Sequence, residues 1–459
     1  MIAMEFLVRG ATQFNEPGVF IAFEETPGDL VANFASRNYD LQKLEEENKL
    51  IIDYVYIERS EIEETGEYDL EALFIRLGDA IDTIGAKRVV IDTIEVLFSG
   101  LSNTAILRAE LRRLFRFLKE KGVTAIVTGE RGNEVTLTRY GLEEYVADCV
   151  IVLDHRMKDQ IATRRLRVLK YRGSSHATNE FPFIIADDGI SVLPITTLSL
   201  KHEASKERVS TGVLELDEMM DGKGYYRGAS VFITGTAGTG KTSLAAAFVD
   251  AACKRGEKCI YFAFEESPNQ LMRNMQSISI DLEMFENNGQ LIFHATRPTE
   301  YGLETHLATM TKLMKDFGPS IVIIDPISNL IAAGETLEVK ATLTRLIDYL
   351  KAHGITSLFT SLIGEDSNSD EREIGVSSLM DTWINVRNLE DKGERNRGLY
   401  VQKSRGMPHS NKIREFILTN SGIKLIDPYI SAKGLLLGSA REKQQALDKA
   451  GNIEVGIKE

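Results

Sequence analysis

The residues best suited to chemistry in this sequence form a glycine-rich loop between an apolar stretch and a helix-like stretch. Residues 231–243 read Val-Phe-Ile-Thr-Gly-Thr-Ala-Gly-Thr-Gly-Lys-Thr-Ser, which contains the full G-x-x-x-x-G-K-[ST] pattern. Glycines let the backbone wrap around phosphate, and exposed amides at a helix N-terminus supply positive potential. Lys241 is expected to reach the β- and γ-phosphates, and Thr242 to hold Mg²⁺. The pattern therefore predicts a P-loop that binds a nucleoside triphosphate rather than a chance glycine- and threonine-rich turn. The predicted phosphate-binding residues are Gly235, Thr236, Ala237, Gly238, Thr239, Gly240, Lys241, Thr242 and Ser243.

The chain repeats itself, which changes the weight of every other motif. The repeated pairs are residues 19–27 with 260–268, 88–92 with 321–325, and 170–176 with 403–409. The last two pairs share one offset along the chain. The repeat predicts two homologous domains in tandem, at residues 1–200 and 209–427. A polar linker at 201–208 separates them, and a partly helical, poorly ordered tail at 428–459 follows.

The repeat also predicts a first domain without its own phosphate loop. The first-half partner of Lys241 would fall at or just before residue 1, and residues 1–10 match the helix that follows the P-loop. Either the start codon has been assigned too far downstream or the domain is truncated. The first explanation is favoured, because the missing strand would be central to the sheet. We expect about one Mg·ATP to bind per chain.

Carboxylates stand at the ends of two predicted strands near the P-loop in sequence. Asp325 ends an apolar strand, where a Walker B aspartate supports the Mg²⁺ shell. Glu265 and Glu266 end the preceding strand, and either could act as general base, with Glu265 also a candidate for the metal site. The acidic pair recurs as Glu24 and Glu25 in the first half, so the repeat argues against an accidental surface pair.

Apolar strands alternate with amphipathic helices along the chain, which is typical of an α/β fold with a parallel sheet covered on both faces. The predicted strands are residues 19–23, 88–92, 124–128, 260–264, 321–324 and 357–360, and the predicted helices are 105–121, 243–252 and 337–352. The expected fold is thus α/β, as two tandem P-loop NTPase domains.

Composition narrows the class of protein. The 459 residues are 43% hydrophobic, enough for two cores, and the net charge of −14 disfavours a nucleic-acid partner. Cys149, Cys253 and Cys259 lack C-x-x-C spacing and are expected to be reduced packing residues. No apolar stretch reaches the roughly 18 residues of a membrane span. We expect a cytoplasmic protein that does not bind membranes.

The motifs together resemble the KaiC family of clock-type ATPases, whose two RecA-like domains stack as a double-ring hexamer. The resemblance rests on the repeated Phe-Glu-Glu-[Ser/Thr]-Pro segments, the Lys-x-Arg-Gly segments and the lead-in Val209–Met220 to the P-loop. It implies that ATP lies between subunits, with Lys403 and Arg405 completing the neighbour's site. The further nucleotide contacts that it implies are Lys170, Arg172, His176 and Arg397.

Members of that family autophosphorylate hydroxyl groups in the second domain. Ser377 and Ser378 fall on the two adjacent acceptor positions. Ser378 stands where the clock protein typically has threonine, and Arg372 where a further threonine stands. These departures resemble KaiC homologues outside the clock lineage. The alternative for the serine pair is a simple helix cap or turn.

The motifs predict an ATP-hydrolysing protein, and the resemblance implies that it autophosphorylates on serine and assembles as a homo-hexamer, with regulatory protein partners left open. One alternative is a RecA-like DNA-dependent ATPase, a recombinase or helicase, which the net charge disfavours. Another is a non-catalytic assembly scaffold gated by ATP.

Overall fold

The structure is a computed structural model of the 459-residue chain. It describes residues 1–56, 71–98, 104–130, 132, 146–158, 161–186, 189–192, 204–363, 375–391, 394–431 and 434–455. The chain divides into two compact units. The first comprises Met1–Asp154 and Arg165–Val192, and the second comprises His155–Arg164 and Leu193–Glu459.

The first part of the chain folds into helices and strands in the alternating order that its sequence predicts. Its helices are α1 (Ile2–Gln13), α2 (Pro27–Ala35), α3 (Leu41–Glu46), α4 (Glu71–Ile84), α5 (Ile94–Phe98) and α6 (Thr104–Glu120). Its strands are β1 (Gly18–Ala22), β2 (Leu50–Tyr54), β3 (Arg88–Asp92), β4 (Thr124–Val127), β5 (Cys149–Lys158), β6 (Ile161–Tyr171), β7 (Glu180–Ala186) and β8 (Gly189–Val192).

A parallel four-stranded sheet of order β2-β1-β3-β4 forms the centre of the first unit. Alternate side chains of β1 enter different cores: Val19 and Ile21 pack on one face, and Phe20 and Ala22 on the other. A strand that is buried on both faces reads as a continuous apolar run, which is why β1 could be predicted. A second sheet has the order β5-β6-β7-β8.

The remaining elements belong to the second repeat and the tail. The helices are α7 (Leu214–Met219), α8 (Lys241–Lys254), α9 (Pro268–Gln276), α10 (Glu283–Asn287), α11 (Leu303–Phe317), α12 (Thr336–Ala352) and α13 (Gly438–Val455). Short 3₁₀ helices cover Pro298–Glu300, Ile327–Ala333 and Ser377–Leu379. The strands are β9 (Arg208–Val209), β10 (Tyr225–Tyr226), β11 (Ser230–Gly235), β12 (Cys259–Ala263), β13 (Leu291–Ala295), β14 (Ile321–Asp325), β15 (Thr356–Leu362), β16 (Thr382–Asp391), β17 (Glu394–Ser404), β18 (Arg414–Thr419), β19 (Gly422–Ile426), β20 (Tyr429–Ser431) and β21 (Gly434–Leu436).

A nine-stranded sheet of order β13-β12-β14-β15-β11-β16-β17-β18-β19 organises the second unit. In this order, neighbouring strands from β13 as far as β16, including β12, β14, β15 and β11, pair in parallel. The neighbours from β16 to β19 pair antiparallel. The P-loop strand β11 lies between β15 and β16. Because β11, β12 and β14 are parallel, their carboxyl ends meet at one edge of the sheet, where α/β folds bind their ligands.

The strand orders of the two repeats correspond. In the second unit β11 is flanked by β13-β12-β14-β15 on one side and by β16-β17-β18-β19 on the other. The two four-stranded sheets of the earlier repeat match these flanks in order. Among the residues that the structure describes there, no strand takes the place of β11. The tandem α/β architecture with parallel sheets agrees with the predicted fold class.

Three details differ from the sequence-based expectations. Cys149 is exposed at the start of β5, so the prediction that it packs in a core is wrong, whereas Cys253 and Cys259 are buried as expected. Arg208, placed in the linker from its polar context, begins β9 and pairs with Tyr226 of β10. The tail contains the expected helix, α13, but an unpredicted hairpin of β20 and β21 precedes it.

Candidate active site of the second repeat

The P-loop follows a fully buried strand and ends at the first residue of a helix. Every residue of β11 is buried, and α8 begins at Lys241. Gly240 has a φ of 98°, which side-chain-bearing residues rarely adopt. A Cβ atom at Gly240 would also clash with the ring of Phe416. Glycine is therefore required here on two grounds, as expected for a backbone that closes around phosphate.

The ammonium group of Lys241 lies against backbone carbonyls of the P-loop. The Nζ atom donates hydrogen bonds of 2.8 Å to the carbonyls of Gly235 and Thr236. The residue is only 6% exposed. Burial lowers the pKa of Lys241, while the negative charges of Asp325 and Glu265 raise it. A buried cation whose hydrogen bonds go to neutral carbonyls is well placed to receive phosphate oxygens.

Asp325 ends β14 with its carboxylate held on both oxygens. Tyr261 donates a 2.5 Å hydrogen bond to Oδ2, and Thr360 donates a short hydrogen bond to Oδ1. These partners come from β12 and β15, the two strands that flank β14. Burial and the charge of Asp325 raise the pKa of Tyr261 well above its ordinary value, so the phenol stays protonated and remains a donor.

The acidic pair at the end of β12 divides into an exposed and a partly buried carboxylate. Glu265 is exposed, and its charge acts on Lys241. Glu266 is partly buried, and Asn274 lies 3.5 Å from its Oε2 atom. Burial, followed by the charges of Asp325 and Glu265, raises the pKa of Glu266. The two neighbours in sequence therefore differ in environment.

These groups surround one cavity of about 270 Å³. Its walls combine loop amides, the acidic strand ends and a few apolar side chains. The lining residues are Ala237, Gly238, Gly240, Lys241, Thr242, Ser243, Ala263, Glu265, Glu266, Leu271, Asn274, Met275, Asp325, Pro326, Leu362 and Leu418. A glycine-lined cradle with a buried lysine and oxygen ligands at Thr242 and Asp325 fits a magnesium nucleotide, because Mg²⁺ prefers hydroxyl and carboxylate oxygens.

The remaining loop residues are fixed by hydroxyl contacts. Thr239 donates to the carbonyl of Thr236 at 2.9 Å. The hydroxyl of Thr236 accepts a 3.1 Å hydrogen bond from Asn388. Arg397 lies opposite Asn388 in the register of β16 and β17. Arg397 is therefore on a strand pair that contacts the P-loop of its own chain.

Lys403 and Arg405 contact the predicted phosphoacceptor segment. Lys403 Nζ donates a 2.9 Å hydrogen bond to the carbonyl of Ser377, and Arg405 donates a 2.6 Å bond to the carbonyl of Ser378. Ser377 and Ser378 begin a 3₁₀ helix, and Ser378 is exposed. The structure thus brings the predicted cations and the predicted acceptors together within one chain.

The matching residues of the first repeat repeat part of this geometry. Asn33 donates to Oε1 of Glu25 at 3.2 Å, as Asn274 does to Glu266, but both Glu24 and Glu25 are exposed. Lys170 donates to the carbonyl of Ala147 at 2.7 Å.

The other two predicted contacts of that repeat lie near the same strand. Arg172 forms a 3.4 Å ion pair with Asp148, and its own amide bonds to the Asp148 carbonyl. His176 follows β6 and is partly buried. Within the described residues, no P-loop stands beside any of these groups in that repeat.

The residues that orient the site were not predicted from the sequence. Tyr261, Thr360, Asn274 and Asn388 carry no motif of their own. The sequence does hold a signal for Tyr261, because the equivalent residue of the first repeat is Phe20. A hydroxyl group added inside a buried strand requires a hydrogen-bond partner.

Comparison with known proteins agrees with this geometry. The sequence model of the family described as "ATPase: KaiC" matches residues 1–197 and 209–429. The chain belongs to the KaiC family of ATPases. It is 56% identical to the circadian clock protein KaiC2 of Synechocystis sp. over 446 residues, which cover 97% of this chain and 78% of that protein. It is 37% identical to the circadian clock oscillator protein KaiC of Synechococcus elongatus, covering 96% of this chain and 85% of that protein. KaiC3 of Synechocystis sp. is 36% identical, with coverages of 96% and 87%.

Membership of a KaiC-type ATPase family implies nucleotide binding, which the P-loop geometry fits. In the part of the chain that the structure describes, no helix is long and apolar enough to cross a membrane.

Proposed function

We propose that the second repeat hydrolyses ATP and also transfers the γ-phosphoryl group of ATP to Ser377 or Ser378. The observation that carries this proposal is the position of the buried ammonium of Lys241, which lies on the P-loop carbonyls and in the field of Glu265 and Asp325. Lys241 would neutralise the β- and γ-phosphates, and Thr242 and Asp325 would hold Mg²⁺, which supplies further neutralisation when bound.

Glu265 is the better candidate for the general base. It is exposed, so its carboxylate can approach a water molecule or a hydroxyl group, and its charge acts directly on Lys241. Glu266 is partly buried beside Asn274, and its pKa is raised, which suits a supporting carboxylate. A base must lie within hydrogen-bond reach of the proton that it accepts.

The proposed chemistry is the same for both acceptors. Glu265 accepts a proton as the oxygen of water or of a serine hydroxyl attacks the γ-phosphorus, and the bond between that phosphorus and the β,γ-bridging oxygen breaks to release ADP. Attack by water gives inorganic phosphate, whereas attack by Ser377 or Ser378 gives a phosphoserine.

We further propose that the site is completed across subunits of a homo-hexamer, by Lys403 and Arg405 of the adjacent chain. Both cations lie at the C-terminal end of β17, and their hydrogen bonds in this chain go to carbonyls rather than to carboxylates. Arginine is suited to such a role because its charge is permanent and its fork matches phosphate oxygens.

Two measurements on one sample test the proposal. Hydrolysis of Mg·ATP should proceed equally with and without single-stranded DNA and should be lost in Lys241→Ala. Phosphopeptide mass spectrometry after the same incubation should show the peptide with Ser377 and Ser378 modified, and Glu265→Gln should abolish the signal. Hydrolysis with an unmodified peptide would refute the kinase activity, and stimulation by DNA would favour a nucleic-acid motor.

A further inference from the structure

Three cationic side chains converge on one short turn of the second unit. Lys403 donates to the carbonyl of Ser377, Arg405 to that of Ser378, and Lys351 to that of Leu379, at 2.9, 2.6 and 3.3 Å respectively. The three acceptors are consecutive in sequence. Within the described part of the chain, each carbonyl of Ser377–Leu379 thus accepts a hydrogen bond from a cationic side chain. Lys351 belongs to none of the motifs described above.

Among the residues that the structure describes around this turn, the carboxylate of Asp381 already has partners of its own. Asp381 forms a 2.9 Å ion pair with Lys351 and accepts a 2.9 Å hydrogen bond from the amide of Ser230, so its carboxylate is already engaged. Among the described residues, Lys403 and Arg405 form no ion pair. Burial and the charge of Arg405 lower the pKa of Lys403, the charge of Asp381 raises it, and the charge of Lys351 lowers it.

The arginine at the corresponding position of the first repeat has a carboxylate partner. Arg172, the counterpart of Arg405, forms an ion pair with Asp148, and Lys119 contacts the same carboxylate at 2.7 Å. In sequence, Glu144 occupies the position of Ser377, although it lies outside the described residues. The first repeat thus encodes a negative charge where the second repeat encodes a serine.

We propose that Lys351, Lys403 and Arg405 form a cradle that binds a phosphoryl group carried by Ser378 or Ser377 when no nucleotide of a neighbouring chain occupies Lys403 and Arg405. The ligand class is a phosphomonoester dianion, attached to the turn itself. A phosphate on either side chain starts within a few bonds of the carbonyls that the cations now contact, so it can accept the same hydrogen bonds with full charge assistance. This inference rests on the proposed autophosphorylation.

The test installs phosphoserine at position 378 by genetic encoding, so it does not depend on kinase activity. The phosphorus resonance of nucleotide-free protein is followed by NMR as pH is varied. Free phosphoserine has a second pKa of about 6, and nearby cations should lower it by about one unit or more. Phosphoserine at Ser421, an exposed turn residue whose hydrogen bonds go to Thr419, serves as the control.

Variants of Lys351 then identify the cradle. In the phosphoserine-378 protein, Lys351→Met should raise the phosphate pKa towards its ordinary value, whereas Lys351→Arg should keep it low. Lys254→Met, which removes a lysine paired with Asp250 on α8, is the matched control and should change nothing. Tryptophan fluorescence of Trp383 verifies folding of each variant.

Equal phosphate pKa values at positions 378 and 421, or no response to Lys351→Met, would overturn the proposal. A lowered value that responds to Lys351 would support it even if the protein never phosphorylated itself. In that case the proposed autokinase activity would fail alone, so the two failures are distinguishable.

Discussion

The hydroxyl group of Tyr261 offers a sharp test of how Asp325 is held. Tyr261→Phe removes one donor from a carboxylate that is 7% exposed, at a distance of 2.5 Å, and leaves the ring that packs 5.5 Å from Phe293. A hydrogen bond to a charged group contributes about 1.5–3 kcal/mol. We therefore expect the variant to lose that much stability against unfolding near neutral pH.

The assay can be confined to the second unit. Trp383 is the one tryptophan of the sequence, and its Nε1 atom donates a 2.8 Å hydrogen bond to Thr234 of the P-loop strand. Its fluorescence therefore reports urea unfolding around the site. With a slope of about 3 kcal/mol per molar urea, the midpoint should fall by about 0.5–1 M. An unchanged midpoint would show that the Tyr261 hydroxyl does not stabilise the fold through Asp325.

The pH dependence of the same transition gives a second readout. The folded-state pKa of Tyr261 is raised above the ordinary value of 10.0. As pH rises, Tyr261 therefore loses its proton in the unfolded state before it does so in the folded state. The contribution of Tyr261 to the free energy of unfolding is fully present below about pH 10 and declines above that pH by about 1.4 kcal/mol per pH unit. Tyr261→Phe should lack that share of the decline. Tyr225 is another buried phenol with a raised pKa, so Tyr225→Phe should also reduce the decline in stability above pH 10. Tyr225→Phe should leave ATP hydrolysis intact.

Two further predictions concern the P-loop and the acidic pair. Gly240→Ala should weaken nucleotide binding at least tenfold in calorimetric titration, because the left-handed φ of 98° and the contact with Phe416 both oppose a side chain. Asn274→Leu removes a donor that lowers the pKa of Glu266, the carboxylate proposed to support Glu265. Glu266 should then take up its proton at a higher pH, and the acid limb of the rate profile for ATP hydrolysis should move to higher pH. Unchanged affinity or an unmoved acid limb would contradict these two assignments.

The sequence predicted the parts of the site whose chemistry is local. The P-loop, Asp325 and the pair Glu265 and Glu266 each lie at the end of a buried strand, and an apolar run followed by a polar residue is visible without a structure. The repeat made the interpretation stronger, because equivalent strand ends recur in the first half.

The partners of these residues could not be predicted, because they depend on strand register. Ala263 lies opposite Asp325, and Ile324 opposite Phe359, which brings Tyr261 and Thr360 to the carboxylate from either side. Neither the order β12-β14-β15 nor its register is encoded in a short motif.

The same holds for contacts across long sequence separations. Lys351 is an ordinary basic residue in the last turn of α12, and only the fold places it beside Leu379 and Asp381. The exposed Cys149 was misjudged because an apolar sequence context does not reveal which face of a strand is covered.

The claim that the active site is shared between chains is tested most directly by mixing two inactive variants. Lys241→Ala lacks the phosphate-binding lysine, and Arg405→Ala lacks the cation that would complete a neighbour's site. Co-assembled in varied ratios, they form some interfaces with an intact P-loop on one chain and an intact Arg405 on the other. We expect each variant alone to be inactive and mixtures to recover ATP hydrolysis. Proven co-assembly without recovery at any ratio would contradict a site shared between chains.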